Sequence, residues 1–573
     1  MDPKPLSARA CSLLILLFGI TAYSNTLFSA FQFDDVVSIL SNHALYPLNL
    51  GRIWHELPTR FLTHLSFAFN IYVAGFETWS FHLLNLLIHI FTSIIAFKFT
   101  RSILETPDLK DHIPSSKREL FALVVALVFA MHPVQTQAVT YITQRLTSLA
   151  TLFYLATLLV YLKARLENVR HYTSVCLLMV AAMLTKEISL SLPFAILLTE
   201  LCFFPPSDLR SLGKKLLRWS PFAAFLAIIP GLFLINKHIF ERIGGAMNIL
   251  PSWTQDISRW DYLLTQFRVI RTYLRLLFFP VNQCLDYDYP LSSGWGNLET
   301  WAAFSLLLSV LLLALILFKK NRLLTFGILW FFLTLSVESS IIPLHDVIFE
   351  HRLYLPMFGF ALFLTSLLWT LTRSVKIFIA VSLPIILIFS GMTYARNEVW
   401  KDPFTLWQDV IKRSPRKWRG YCSLGLAYAR EKNDIPTALL YFNKALQTGS
   451  YSATLLGNMA TAYFQLGNTQ AGTYYQKQAS SLAETEPRFA QSIDSIVRSG
   501  NADLATGEEE VAVASFRKAI EMAPLSKSGY TALALYYVQR GNQQKATAVM
   551  MEYLKKKKNH KPLIGNFVEI EGL

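Results

Sequence analysis

Apolar residues come in long blocks over the first two thirds of the chain, and polar residues gather between them. Runs of spanning length cover approximately 9–30, 82–103, 119–133, 144–163, 172–185, 188–204, 219–236, 300–318, 323–338, 354–371 and 376–394. Crossing a bilayer takes about 20 apolar residues in helical form, so the pattern predicts about eleven transmembrane helices. With the N-terminus in the cytoplasm, the loops on that side hold Lys110, Lys117 and Arg118, then Lys163, Arg165 and Arg170, then Arg210, Lys214, Lys215 and Arg218, then Lys319, Lys320 and Arg322, and last Arg373 and Lys376. Every one is short and basic, as positive-inside orientation requires.

The opposite, exoplasmic side receives 31–81, "HPVQTQAVTYITQR" (132–145), "TKE" (185–187), 237–299 and "PLHDVIFEHRLYLP" (343–356). These segments are rich in acids, His, Arg and aromatics. A charge at membrane depth costs roughly 2.5–3.5 kcal/mol, so such residues usually line a cavity or pathway. Five such segments on one face predict a polar cavity there. Segment 259–279 places Arg268, Arg271 and Arg275 at i, i+3 and i+7, on one helical face. It reads as an amphipathic helix lying in the interface, its arginines serving either lipid phosphates or simple snorkelling anchorage.

Beyond residue 395 the long apolar blocks stop and a repeat begins. "LGNTQAGTYYQKQA" (466–479), "TGEEEVAVASFRKAIEMAP" (506–524) and "RGNQQKATAVMMEYL" (540–554) fit one template, with Gly507 and Gly541 34 residues apart, as are Ala512 and Ala546. "YCSLGLAYAREKNDIPTALLYFNKAL" (421–446) is the first clear unit. A 34-residue period with a small residue in the turn is the tetratricopeptide pattern, which stacks helix pairs into a superhelix with a concave groove suited to extended peptides, or into a bare spacer. The fold class is therefore all-α: a polytopic helical bundle, 1–395, followed by a helical solenoid, 396–573. Lys555 to Lys558 read as a solvated tail or as a site for anionic lipid or glycan.

Composition agrees. Of 573 residues 53% are hydrophobic and 16% charged, well under the quarter usual for soluble domains. The net charge of +15 is partly that of the cytoplasmic loops and does not imply nucleic acid. Five cysteines (11, 176, 202, 284, 422) lack metal-ligand spacing, and only Cys284 and Cys422 sit where an oxidising space would allow a bond. The first apolar run is long, with no A-x-A-like cleavage site before the acidic pair in "FQFDD" (31–35), so it reads as a retained span rather than a signal peptide.

Several motifs taken in order resemble the transmembrane and tetratricopeptide-repeat (TMTC) family of protein O-mannosyltransferases, and more closely its bacterial relatives: "FDD" after the first span, "RFLTHLSFAFN" (60–70), "FHLLNLLIH" (81–89), "HPVQTQAVTYITQR", "LTKE" (184–187), "YLLTQFRVIRTYLRLLFFPVNQCLDYDYP" (262–290) and "FEHRLYLP" (349–356). The resemblance covers nearly the whole chain. It implies a GT-C fold that uses a lipid-linked sugar on the exoplasmic face, and hence a multi-pass protein of a bacterial inner membrane with the repeats outside. Two positions depart from the animal proteins: Phe61, in Arg60-Phe61-Leu62 where they tend to have Arg-Pro-Leu, and Gln137, where they tend to have an acid.

Transfer of a sugar from polyprenyl phosphate to Ser or Thr needs a carboxylate to take the hydroxyl proton, fixed cations for the departing phosphate and an apolar groove for the lipid. The resemblance favours Asp34 as base, with Asp35 orienting a sugar hydroxyl or a cation; a solvated helix cap is the plain alternative. Lys186, His351 and Arg352 are the first phosphate candidates and Arg60 and Arg145 the second, against the alternatives of a helix-pinning pair for Lys186 and interface anchoring for "EHR". Glu187, Asp286, Asp288 and Glu350 are candidate sugar or acceptor contacts. His132, before Pro133, reads as a turn cap. There is no Walker loop, zinc spacing or Ser-His-Asp order, and a nucleotide-sugar enzyme would need its site on the other face. Beyond the acidic pair no metal cluster stands out, so a monophosphate donor without metal or other cofactor is expected. Partners are then the polyprenyl-phosphate-linked sugar, a protein acceptor in the repeat groove and membrane lipid. Two rivals remain: the same fold acting on a lipid or surface glycan, for which a protein-binding groove would be idle, and a non-catalytic membrane scaffold for envelope assembly.

Overall fold

A computed structural model describes residues 6–558, apart from 57, 111, 168–170, 205–207, 236–256, 293, 345, 373, 450–451, 486–492, 494–495, 498, 502, 506 and 523–525. The described chain is helical, with no strand, and it packs as two compact units, Met1–Ser414 and Pro415–Leu573.

The first unit runs α1 (Ala8–Tyr23), α2 (Leu50–Glu56), α3 (Phe61–Ala74), α4 (Thr78–Leu104), α5 (Ser115–Met131), α6 (Thr136–Val139), α7 (Arg145–Glu167), α8 (Tyr172–Met183), α9 (Leu192–Phe203), α10 (Leu209–Ala223), α11 (Ile228–Ile235), α12 (Arg259–Phe278), α13 (Leu298–Leu317), α14 (Arg322–Leu335), α15 (Pro356–Leu371), α16 (Val375–Glu398) and α17 (Pro403–Arg413). Polar caps set many of these starts: Ser7, Ser258, Asn297, Asn321 and Ser374 each accept a backbone N–H of the first turn. Asp402 and Thr405 form a reciprocal capping box before α17. That last helix, which the sequence assigned to the repeats, packs with the first unit.

Among the described residues five helical segments are long and apolar enough to cross a membrane: Ala8–Thr26, Thr78–Leu104, Ile142–Glu167, Leu298–Leu317 and Val375–Glu398. A sixth arises if Ser115–Met131 and Pro133–Val139, bent by 51°, count as one. Tyr172–Met183, Arg322–Leu335 and Pro356–Leu371 are apolar but shorter. The chain is thus a multi-pass membrane protein, but the predicted eleven spans do not emerge as eleven full-length helices. Several apolar runs are broken by 3₁₀ turns where charged residues sit, as at Glu187–Ser191. Pro133 cannot donate to a continuing helix, and His132 before it is extended (ψ 129°), so α5 stops there.

Close approach of α14 to α15 depends on two glycines. A Cβ on Gly327 would stand 2.6 Å from the carbonyl oxygen of Gly359, and one on Gly359 would stand 2.6 Å from that of Gly327. Small residues at a membrane helix crossing let backbones touch and gain dispersion contacts. In the second unit, α18 (Trp418–Glu431) packs on α19 (Ile435–Gln447), α20 (Ala453–Gln465) on α21 (Thr469–Thr485), and α22 (Glu509–Met522) and α24 (Gln543–Lys558) both on α23 (Lys527–Gln539). The periodic glycines have a backbone reason: Gly467, Gly507 and Gly541 sit at φ of 76°, 85° and 72°, which side chains disfavour. The described part of Lys555–Lys558 closes α24. All five cysteines are free.

Candidate active site

Asp34 and Asp35 are adjacent, yet the fold treats them differently. Asp34 is exposed and Asp35 buried. Phe33 adopts a left-handed conformation, φ 48°, a strained state for a side chain of that size. It is held by ring contacts with Tyr141 and Trp407. That turn swings Asp34 outward, while its backbone N–H donates to the Tyr141 hydroxyl at 2.9 Å. Asp35 turns inward. One of its oxygens accepts the Gln32 N–H at 2.8 Å, and the other accepts the Thr143 N–H at 2.7 Å and the Thr143 hydroxyl. Burial pushes the Asp35 carboxyl up to about 7, against the pull of the Thr143 and Gln32 donors, and the Asp34 charge adds to the rise. Asp35 is therefore a buried clamp between two loops. The sugar-orienting role expected of it has no exposed oxygen to work through.

Segment 132–145 is the hub. His132 accepts the Val134 N–H through Nδ1, and its Nε2 meets the Leu277 carbonyl at 3.0 Å, so it caps the turn. The Gln137 side-chain oxygen accepts the His351 N–H at 2.6 Å, and Thr140 donates to Asn397 at 2.9 Å. Tyr141 and Thr143 hold the acidic pair. Arg145, entirely buried, donates to Asn85, Asn70 and Ser66 side chains and to the Ser66 and Phe81 carbonyls, with its guanidinium 4.7 Å over the Phe67 ring. Five protein acceptors engage it, and no face is open to a phosphate. Arg145 is a structural cation, contrary to the phosphate role expected of it.

The remaining cations gather with acids. Lys186, 6% exposed, donates through Nζ to Thr147 Oγ1 at 3.0 Å and pairs with Glu338 at 2.8 Å. An ammonium has three N–H donors, and these two contacts use two of them. Arg60 Nε stands 3.3 Å from Glu187, which also accepts the Thr59 hydroxyl at 2.9 Å. Burial pushes the Glu187 carboxyl up, but Arg60, its own backbone and Thr59 outweigh that and hold it below the usual range. Glu187 and, more weakly, Glu338 and Asp34 raise the Arg60 guanidinium, so these charges share one neighbourhood. Arg352 donates to the Val347 and Asp346 carbonyls at 3.0 and 2.7 Å. Its buried Nε has no hydrogen-bond partner among the described residues.

His351 differs from its neighbour. Its ring stacks on Phe349 at 5.0 Å, and burial, with the Lys186 and Arg352 charges, drives its pKa well below 6.5. Burial and these charges hold it toward the neutral imidazole, and its buried Nδ1 has no hydrogen-bond partner among the described residues. Glu350 is buried and engaged by protein donors. Its oxygens accept Gln283 Nε2, the Cys284 N–H and the Tyr287 hydroxyl, pinning the loop after α12, and burial raises its pKa. Asp286 is buried in that loop. Asp288 is exposed, with its N–H on Ser414 Oγ at 3.1 Å.

Glu338 and Tyr262, which the sequence reading passed over, complete the cluster: the Tyr262 hydroxyl donates to the Glu338 carbonyl at 3.1 Å. The missed signal was an acid directly after an apolar helix, "LTLSVESS" (333–340), expensive enough at that depth to need a partner. Arg268, predicted to share a face with Arg271 and Arg275, is buried and paired with Glu299 at 2.9 Å. The site contains an exposed carboxylate at a strained turn, and Lys186, Arg352 and Arg60 braced by acids or carbonyls. Among the described residues no three His, Cys, Asp or Glu side chains group as metal ligands.

The fold and this cluster are those of a multi-pass membrane protein with a charged, partly buried site. No protein-family model matches the chain. It is 23% identical to Protein O-mannosyl-transferase TMTC3 of Homo sapiens over 96% of its own length and 65% of the human protein. It is 24% identical to Protein O-mannosyl-transferase F38B6.6 of Caenorhabditis elegans over 72% of its length and 59% of that protein. A shorter match, 30% identical, covers 25% of the chain and 18% of Protein O-mannosyl-transferase TMTC2 of Mus musculus. The chain is homologous to the TMTC proteins, and it spans just under two thirds of the length of the human relative.

Proposed function

We propose that this chain is a membrane glycosyltransferase of GT-C type that moves a sugar, mannose by analogy with its relatives' names, from polyprenyl phosphate to Ser or Thr of an exported protein. In this reading it lies in a bacterial inner membrane with its N-terminus cytoplasmic, and the helical repeats, in the periplasm, hold the acceptor. The observation that carries it is the contrast at 34–35: one carboxylate fixed inside the fold, the other presented outward by a strained turn, in a chain whose relatives over nearly its whole length are named protein O-mannosyl-transferases.

Asp34 accepts the acceptor hydroxyl's proton as the new bond to the sugar's anomeric carbon forms. The old bond from that carbon to the phosphate oxygen breaks, and its electron pair leaves with the phosphate. Proton removal of this kind is worth about 10²–10⁴ in rate. Lys186, through its third N–H, and Arg352, through Nε, meet the charge that grows on the phosphate. Arg60 stands beside them as a second cation. Glu338 holds Lys186, Glu187 holds Arg60 and the Val347 and Asp346 carbonyls hold Arg352 before the donor arrives, so little reorganisation is needed as the charge develops. Glu187 also stays a candidate for sugar hydroxyls. Asp35, Tyr141 and Thr143 position Asp34. No metal is assigned a role.

The test is mass spectrometry of exported proteins from cells with and without the gene. Hexose-modified Ser or Thr peptides that vanish on deletion support the reading, and an unchanged glycoproteome removes it.

A further inference from the structure

A groove of about 450 Å³ runs among α12, α13, α14 and α15. Its walls are side chains such as Leu274, Phe278, Leu313 and Phe360, and the polar side chains lining it are those of Arg271 and Arg275. Phe278, Leu306 and Leu313 are each more than 40% exposed, so the groove opens at the surface through apolar side chains. Arg271 lies 3.6 Å from Glu299, and Arg275 donates to the Val281 carbonyl at 2.9 Å. A guanidinium has five N–H donors, so each arginine keeps several for another acceptor. The channel's own surface is almost wholly apolar, Arg271 and Arg275 bordering it chiefly with their aliphatic stems, so a fitting occupant lays hydrocarbon in the channel and carries an anionic head at its margin beside the two guanidinium groups.

The sugar donor assigned above is also such an amphiphile, but α12 stands between this groove and the charged cluster. Tyr262, Gln266 and Tyr273 face the cluster side, donating to the carbonyls of Glu338, Val347 and Phe349. At about 100° per residue these three share an arc of roughly 40°, while Arg271, Arg275 and Phe278 share one of roughly 60° on the opposite side. One phosphate cannot reach both faces of a helix about 10 Å thick.

We propose that the groove is a site for an anionic phospholipid, distinct from the donor: one acyl chain lies along the Leu274–Phe278 wall and the phosphodiester sits on Arg271 and Arg275. The proposal does not depend on the transferase reading.

The full chain is placed in phosphatidylcholine nanodiscs, phosphatidylglycerol is titrated in, and native mass spectrometry counts the retained lipid. The wild type should hold one phosphatidylglycerol in preference to phosphatidylcholine. Arg271→Gln with Arg275→Gln should weaken that binding roughly thirtyfold, from two interfacial charges. Val310→Trp fills the groove without altering charge and should abolish the binding. If it fails to fold, the arginine pair decides alone. Retention by the arginine variant at wild-type affinity overturns the site, as does equal retention of phosphatidylcholine by the wild type. Displacement of phosphatidylglycerol by undecaprenyl phosphate, with loss of donor binding in the arginine variant, overturns the choice of occupant and gives the groove to the donor.

Discussion

Lys186 Nζ and Glu338 Oε1 stand 2.8 Å apart, joining the break before Glu187–Ser191 to the end of α14. Both side chains are mostly buried, at 8% and 17% exposure. Removing one member of such a pair strands a charge, which costs about 3–5 kcal/mol.

Lys186→Ala alone should therefore lower the yield of folded protein, measured by fluorescence-detected gel filtration. Adding Glu338→Gln should restore the yield by neutralising the stranded acid, yet leave donor use impaired in a titration at fixed acceptor peptide. Recovery of both folding and donor use in the double variant would make the pair a structural pin with no part in the chemistry.

Asp35 gives a pH signature. Its carboxyl is pushed up to about 7 in the fold, from 3.8, so the folded protein holds this proton more tightly than the unfolded chain. That contribution to stability is complete below about pH 4 and is lost as pH rises through 7. Thermal midpoints of wild type and Asp35→Asn in one detergent should converge or cross as pH rises from 4 to 7, the wild type losing ground to the variant. A difference independent of pH would mean that Asp35 is ionised throughout.

Gly359→Ala should destabilise by about 1–3 kcal/mol through overpacking, since the new methyl meets the Gly327 carbonyl oxygen and the Trp330 ring edge, each at 2.6 Å. Gly391→Ala, with nothing within 4 Å of its Cβ, is the control. Equal thermal midpoints for the two would show that α14 and α15 part easily.

Much of the helical architecture was legible because membrane helices and the 34-residue repeat both write themselves as periodic apolar pattern. Asp34, Lys186 and Arg352 stood out for the same energetic reason, each being a charge beside apolar sequence. What sequence could not give was the partner of each charge. Arg145 and Arg352 look alike in one dimension. Only folding surrounds the first with Asn70, Asn85 and Ser66 and leaves the second with a buried N–H to spare. The shared face of Arg268, Arg271 and Arg275 was correct helical geometry, but Arg268 alone of the three is buried, donating to the Pro290 carbonyl and Ser292 Oγ, while Glu299 on α13 pairs with both Arg268 and Arg271. Glu338 was passed over because its partner lies on another helix, out of reach of any local motif.

Cutting the chain after Ser414, where the two compact units divide, should leave the first unit folded. If the repeats hold the acceptor, transfer to an intact protein should fall far more than transfer to a short saturating peptide, because tethering raises local concentration, typically to millimolar. Both acceptors are assayed against full-length and truncated chains in the same lipid. Equal losses would mean that the second unit supports the first, and no loss would make it a spacer.

The most direct measurement compares wild type and Asp34→Asn, purified in the same lipid, for transfer of labelled sugar from polyprenyl phosphate to a Ser/Thr peptide, alongside donor binding. The amide nearly preserves shape, and the Asp34 backbone N–H keeps its Tyr141 partner, so folding and donor affinity should stay within about twofold while the transfer rate falls by about 10²–10⁴. Transfer within a few-fold of wild type, with donor bound normally, would contradict Asp34 as the base.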